Sequence, residues 1–139
     1  MNPSVYLAAS FSRQAEMQAV AKRLRAIGVR VTSRWLREDQ SIHTTGSRPK
    51  FLNRCALTDI EDVRLADVFV RFSDDLHFPL VPSHLATGAR HFEMGLAWAL
   101  GHPIIVVGGR NSVFDWLMEG VTHLPDENAL IEYFSERVN

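Results

Sequence analysis

Five short runs of apolar or β-branched residues, separated by segments of helical periodicity, constrain this chain more than anything else in its sequence. They are Val5 to Ala9 (VYLAA), Val29 to Ser33 (VRVTS), Val68 to Phe72 (VFVRF), Ile104 to Val107 (IIVV) and Val121 to Leu124 (VTHL). Each has the length of a strand, and the fully apolar ones suit strands buried on both faces. Between the first two, Met17, Val20, Ala21, Leu24 and Ile27 recur at helical spacing until Gly28 closes the segment. Further helices are expected over Arg54 to Ala66, Arg90 to Leu100, Val113 to Leu117 (short) and Asp126 to Arg137. Parallel strands need crossovers of this kind, and such crossovers are right-handed. The expected fold is therefore α/β: a single doubly wound, flavodoxin- or Rossmann-like domain over residues 1–139, with a five-stranded parallel sheet.

Ligands of such sheets bind beyond the carboxyl ends of the strands. Here that edge comprises Ala9 to Arg13, the irregular stretch Ser73 to Gly88, and the turn Gly108 to Asn111. The polar stretch Arg37 to Asn53, with Gly46 and Pro49, reads as a second long loop.

Charge and composition exclude several classes of function. Fifteen Lys and Arg stand against sixteen Asp and Glu, a net charge of -1, which gives no general attraction to a nucleic acid polymer or a membrane. One cysteine, Cys55, forms no internal disulfide and suits a reducing compartment. The opening MNPSVYLAAS lacks a basic segment and a long apolar run, so a cytoplasmic location is expected. Neither G-x-G-x-x-G after the first strand nor G-x-x-x-x-G-K-[ST] occurs, and G-x-S-x-G is absent. His77, His84 and His91 lie seven residues apart without a pattern of further ligands. Neither a metal nor a cofactor is expected.

Two carboxylates stand out because they sit on apolar stripes. In RHFEMGLAWAL, Glu93 shares a helix face with Ala89, Leu96, Ala97 and Leu100. Burial there would raise its pKa, whereas Arg90 and the helix dipole would lower it. Spacing leaves two readings open: a carboxylate paired with Arg90 that caps the helix, or a functional one. Asp59 shares a stripe with Cys55, Ala56, Val63 and Ala66 and needs a partner from a loop or a ligand. Asp62 lies nearby as a substitute, and Asp67, at a helix-to-strand junction, reads as structural. Phe11, Trp35 and Phe78 fall at or beyond strand ends, where a ring packs in the core or stacks on a planar base.

Taken together, YLAASFS, TDIEDVRLADVFV and TGARHFEMGLAWALGHPIIVVG resemble the nucleoside 2-deoxyribosyltransferase family, which includes hydrolases that split the N-glycosidic bond of nucleoside 5′-monophosphates. The resemblance covers most of the chain and is weakest over Arg37 to Asn53. It implies a doubly wound five-stranded sheet and a nucleoside or nucleotide substrate. It makes Glu93 the nucleophile that takes the glycosyl group as an ester. Asp59, eight residues before Asp67 of the Ala66-Asp67 pair, would contact the base or relay a proton to it. Phe11 and Trp35 would border the substrate. Ser10, Arg13, Thr87, Gly88 and Arg90 are candidate phosphate or sugar contacts. Thr87 stands where transferases commonly carry a second aspartate, and the phosphate loop after the first strand is reduced to SerPheSerArg at 10–13. The acceptor of the glycosyl group, base or water, therefore stays open. Asn111 and Ser112 are candidates for contribution to a neighbouring subunit's site, which implies a homodimer or higher homo-oligomer. Two alternatives remain: an NAD-type glycohydrolase, and a non-catalytic nucleotide-binding module.

Overall fold

Strands β1 (Ser4–Ala8), β2 (Arg30–Val31), β3 (Val68–Phe72), β4 (Ile104–Val107) and β5 (Val121–Leu124) pair in the order β2-β1-β3-β4-β5, and every pairing is parallel. They belong to a computed structural model that describes residues 1–38, 49–74 and 88–139. Among the described residues four α-helices flank the sheet: α1 (Gln14–Ala26), α2 (Pro49–Leu65), α3 (Ala89–Ala99) and α4 (Glu127–Ser135). Helix α1 packs beside α4, and α2 packs beside α3. From β1 the chain first moves outward to β2, then returns past β1 to build β3, β4 and β5 on the other side. This reversal puts the two helix pairs on opposite faces. It also leaves a crevice between the carboxyl ends of β1 and β3.

The core follows from the strand sequences. Val5, Tyr6 and Leu7 of β1, Phe69 and Val70 of β3 and all of β4 are buried, as expected of strands covered on both sides. Met17, Val20, Ala21 and Leu24 bring the apolar stripe of α1 onto this sheet, and Leu130 and Phe134 do the same from α4. Asp126 caps α4, its Oδ1 accepting the Ala129 N–H at 2.8 Å.

Most boundaries shift by a residue or two, and two differ further from the sequence-based expectation. Helix α2 begins at Pro49, so residues 49–53 of the expected loop are helical. Proline is well tolerated in a first turn, and most of this turn is exposed, so it carries no apolar periodicity to betray it. Strand β2 spans only Arg30–Val31, not Val29 to Ser33. Its continuation stays tied to β1 by other means: Thr32 N–H donates to the Val5 carbonyl at 2.8 Å, and the Ser33 hydroxyl accepts from Leu7 N–H at 2.7 Å. The chain then turns through a 3-10 segment at Arg34–Arg37. Among the described residues, no helix is long and apolar enough to cross a membrane.

Beyond β4 the chain is anchored by a buried ion pair. Arg71, in the middle of β3, is fully buried and grips Asp115 with two bonds of 2.7 and 2.6 Å. Asp115 lies in the 3-10 turn Val113–Trp116 and also accepts the Asn111 and Ser112 N–H groups at 2.7 and 3.3 Å. Burial works to raise its pKa, but the bonds from Arg71 and these backbone groups outweigh it and hold the carboxyl below its usual range.

Candidate functional site

The crevice between β1 and β3 is where the chain concentrates its carboxylates. Glu93, in the first turns of α3, is only 8% exposed and accepts a hydrogen bond from the Tyr6 hydroxyl. Tyr6 comes from the middle of β1, its ring stacked on Phe69 with centroids 5.7 Å apart. Burial pushes Glu93 up to about 8; the Tyr6 bond pulls it down, and the charges of Asp59, Glu38 and Asp62 push it up again. Glu93 does not cap its helix. The N-cap is Gly88, at φ 71, a left-handed conformation that suits glycine, and Arg90 pairs with Asp74 instead.

Asp59 faces the same crevice from α2. Burial raises it to about 7, helped by Glu38 and Asp62 and opposed by Arg34. Its Oδ1 is buried and has no hydrogen-bond partner among the described residues. A buried acceptor left open in this way is costly, which marks a place for a donor from a ligand. Asp62, by contrast, is spent. It holds the Arg34 backbone N–H at 2.9 Å and Nε at 2.8 Å, fixing the turn after β2. Asp67 accepts from Ser4 N and Oγ at 2.9 and 3.0 Å and joins α2 to β1, a structural part.

One wall of the crevice is aromatic. Trp35 is buried and its indole N–H donates to the Leu7 carbonyl at 2.7 Å, so this ring packs in the core. Phe11 leans on it at a centroid distance of 6.0 Å and is only partly buried. Gln14 pins the turn below, donating to the Trp35 and Glu38 carbonyls at 2.9 and 2.8 Å, and so sets Glu38 on the crevice wall.

At the other end lies a ring of three polar side chains. The Ser10 hydroxyl donates to Asp74 Oδ1 at 2.9 Å, Arg90 Nη1 donates to Ser10 Oγ at 3.2 Å, and Arg90 Nη2 closes the ring onto Asp74 Oδ2. Arg13 is tied to Glu16 by bonds of 2.7 and 2.9 Å and to the Ser73 carbonyl at 2.9 Å. Asn111 reaches the same edge, its Nδ2 donating to the Asp74 carbonyl at 3.4 Å. Ser112 caps the 3-10 turn in a reciprocal box with Asp115. Thr87 lies outside the described residues. Among those described, no group of three or more His, Cys, Asp or Glu is placed to hold a metal ion.

Glu93, Asp59, Ser10, Phe11, Trp35 and Arg90 thus meet in one crevice, while Arg13, Asn111 and Ser112 stand at its rim or just beyond it. Tyr6 and Glu38 of the crevice were not foreseen, nor was Asp74 behind Ser10 and Arg90. Tyr6 left a signal, since a tyrosine inside a buried strand needs a partner for its hydroxyl. Glu38 and Asp74 left none.

No family profile matches this sequence, and no curated protein matches it either. Solved structures do. The chain is similar to the CMP N-glycosidase BcmB of Clostridium botulinum, at 20% identity over 96% of this chain and 98% of that one, with a TM-score of 0.58. It is also similar to a 2-deoxyribosyltransferase from the psychrotolerant bacterium Bacillus psychrosaccharolyticus, at 20% identity over 94% and 91% of the two chains, with a TM-score of 0.66. The chain shares their fold. The likeness runs nearly end to end in both cases, so the crevice described above lies within the shared fold.

Proposed function

We propose that this chain cleaves the N-glycosidic bond of a (deoxy)nucleoside or its 5′-monophosphate through a glycosyl ester on Glu93. One observation carries the reading: a buried carboxylate, held by Tyr6, lies beside a second carboxyl with an open oxygen at the switch point of the sheet. The fold shared with an N-glycosidase and a deoxyribosyltransferase supports it.

In the first step Glu93 attacks the anomeric carbon, and the bond from that carbon to the base nitrogen breaks with its electron pair going to the base. Asp59 in its acid form gives the departing base a proton. In the second step water or another base attacks the same carbon and yields its proton to Asp59, and Glu93 is released. Tyr6 orients the nucleophile and favours its ionised form; Phe11 offers an edge for a planar base.

Incubation with mixed nucleosides and monophosphates, with and without a second free base, tests this by chromatography. Free base and free sugar identify a hydrolase, and exchanged base a transferase. Glu93→Gln is expected to lower base release roughly a thousandfold or more while the protein still folds. Full activity in that variant would sink the assignment.

The assembly is proposed to be a homodimer or higher homo-oligomer. Phe92 and Trp98 of α3 and Leu100 just after it are exposed, as are Val113, Phe114, Trp116 and Met118 after β4. The Trp98 ring lies against Gly120, so the two groups adjoin. An apolar surface of this extent favours a partner of similar character.

A further inference from the structure

We infer that Asp59 reserves this crevice for bases that carry, away from the sugar, an exocyclic amino group beside an unprotonated ring nitrogen, as cytosine and adenine do. The inference rests on the glycosidic reading above and narrows its substrate class. Asp59 lines the crevice together with Glu93, Phe11 and Trp35, so a base leaving the carbon at Glu93 shares one space with this carboxyl and the aromatic wall. Its Oδ1 is buried and has no partner among the described residues, and no hydrogen bond from them claims its other oxygen. Asp62, three residues on in α2, shows the contrast: both of its oxygens are taken by Arg34. Asp59 thus keeps a whole carboxyl edge for a ligand, and burial, by raising it to about 7, lets that edge carry a proton near neutrality.

A carboxyl in its acid form presents one donor and one acceptor side by side. Cytosine offers its ring N3 and 4-amino group at matching spacing, and adenine its N7 or N1 and 6-amino group. The amino group donates to one oxygen while the acid O–H points at the ring nitrogen. When the glycosidic bond breaks and its electron pair enters the base, the O–H bond breaks too and an N–H bond forms at that nitrogen. The product is a neutral base held by two hydrogen bonds to the Asp59 carboxylate. Oxo bases lack this path. In uracil and thymine the nitrogen beside the 4-oxo group already bears hydrogen, so the proton has only an oxygen to go to, a weaker base. In hypoxanthine N7 is open, but the 6-oxo group beside it turns an acceptor toward the second oxygen of Asp59. Two facing acceptors leave a buried polar group unpaired, the circumstance in which a site rejects an analogue most strongly.

The test compares pairs that differ only in this group, cytosine with uracil and adenine with hypoxanthine on the same sugar, as nucleosides and as 5′-monophosphates. In the unaltered protein kcat/KM for base release is expected to favour the amino member of each pair by about tenfold or more. Uracil and hypoxanthine are the more acidic bases and leave more readily by themselves, so such a preference cannot come from the leaving group. Asp59→Asn keeps an acceptor and a donor but has no proton to give. It should lower kcat for the amino substrates by about a hundredfold with KM nearly unmoved, and reduce the preference within each pair by about tenfold. If that variant does not fold, free bases serve in its place. As inhibitors of the unaltered protein, cytosine and adenine should each act at concentrations about tenfold below their oxo counterparts. Oxo substrates that react as well as their amino partners overturn the inference and leave the glycosidic reading standing. A preference that stays put in folded Asp59→Asn, or free bases that inhibit equally, overturns it too. If no member of any pair releases base, the glycosidic reading itself fails and this inference with it.

Discussion

Tyr6 and Asp59 act on Glu93 in opposite senses, and the balance sets when the proposed nucleophile is ionised. The Tyr6 bond lowers the Glu93 pKa and the Asp59 charge raises it. Removing the phenol in Tyr6→Phe should therefore lower kcat/KM by about tenfold at pH 7, with the deficit relative to the unaltered protein narrowing as the pH is raised past the Glu93 pKa. With Glu93 near 8 and Asp59 near 7, the two carboxyls share protons across this window, and their apparent pKa values belong to the pair. A bell-shaped pH profile for base release, with both limbs in that region, is the expected result. Stability carries the same signature. The unfolded chain loses the Glu93 proton near 4.5 and the folded chain near 8, so unfolding releases a proton between those values and stability falls as pH rises. Glu93→Gln removes this dependence. By urea unfolding it should match the unaltered protein near pH 4.5 and exceed it by an amount that grows with pH to at most roughly 5 kcal/mol above pH 8. Glu93 and Asp59 were legible because a charge on an apolar stripe is a local pattern. Glu38 and Asp74 were not, since they matter only through neighbours brought from other parts of the chain.

At the scale of elements, Arg71 and Asp115 bind β3 to the turn beyond β4. Asp115→Ala leaves a buried guanidinium without its carboxylate and should cost about 3–5 kcal/mol in urea unfolding. Replacing both partners, Arg71→Met with Asp115→Leu, should cost clearly less, because no uncompensated charge remains. In VFVRF the arginine sits in a run otherwise fit for a buried strand, and nothing local told that its partner lay beyond the next strand. The bounds of β3, β4 and β5 were readable from their apolar and β-branched runs. Strand β2 was overextended because Thr32 and Ser33 keep up the alternation after the ladder has thinned to one backbone bond and two side-chain bonds. The start of α2 escaped for the opposite reason: an exposed helical turn has no buried face to write a period into the sequence.

For the molecule as a whole, the order β2-β1-β3-β4-β5 puts the crevice at a reversal among the described strands; the alternation of strands and helices gave the fold class and the carboxyl edge but not this order. Assembly depends on surface that no pattern of spacing encodes. Sedimentation equilibrium should find a dimer or larger species, and Phe114→Glu with Met118→Glu, both at exposed positions, should weaken it by about tenfold or more. A monomer at all concentrations would remove the proposed assembly. The stack of Tyr6 on Phe69 has a further consequence, for anyone who would engineer this protein. The ring that fills the centre of the sheet carries the hydroxyl that holds Glu93, the proposed nucleophile. Repacking that spot to harden the fold retunes the chemistry in the same stroke, so toughness and turnover are negotiated through one side chain.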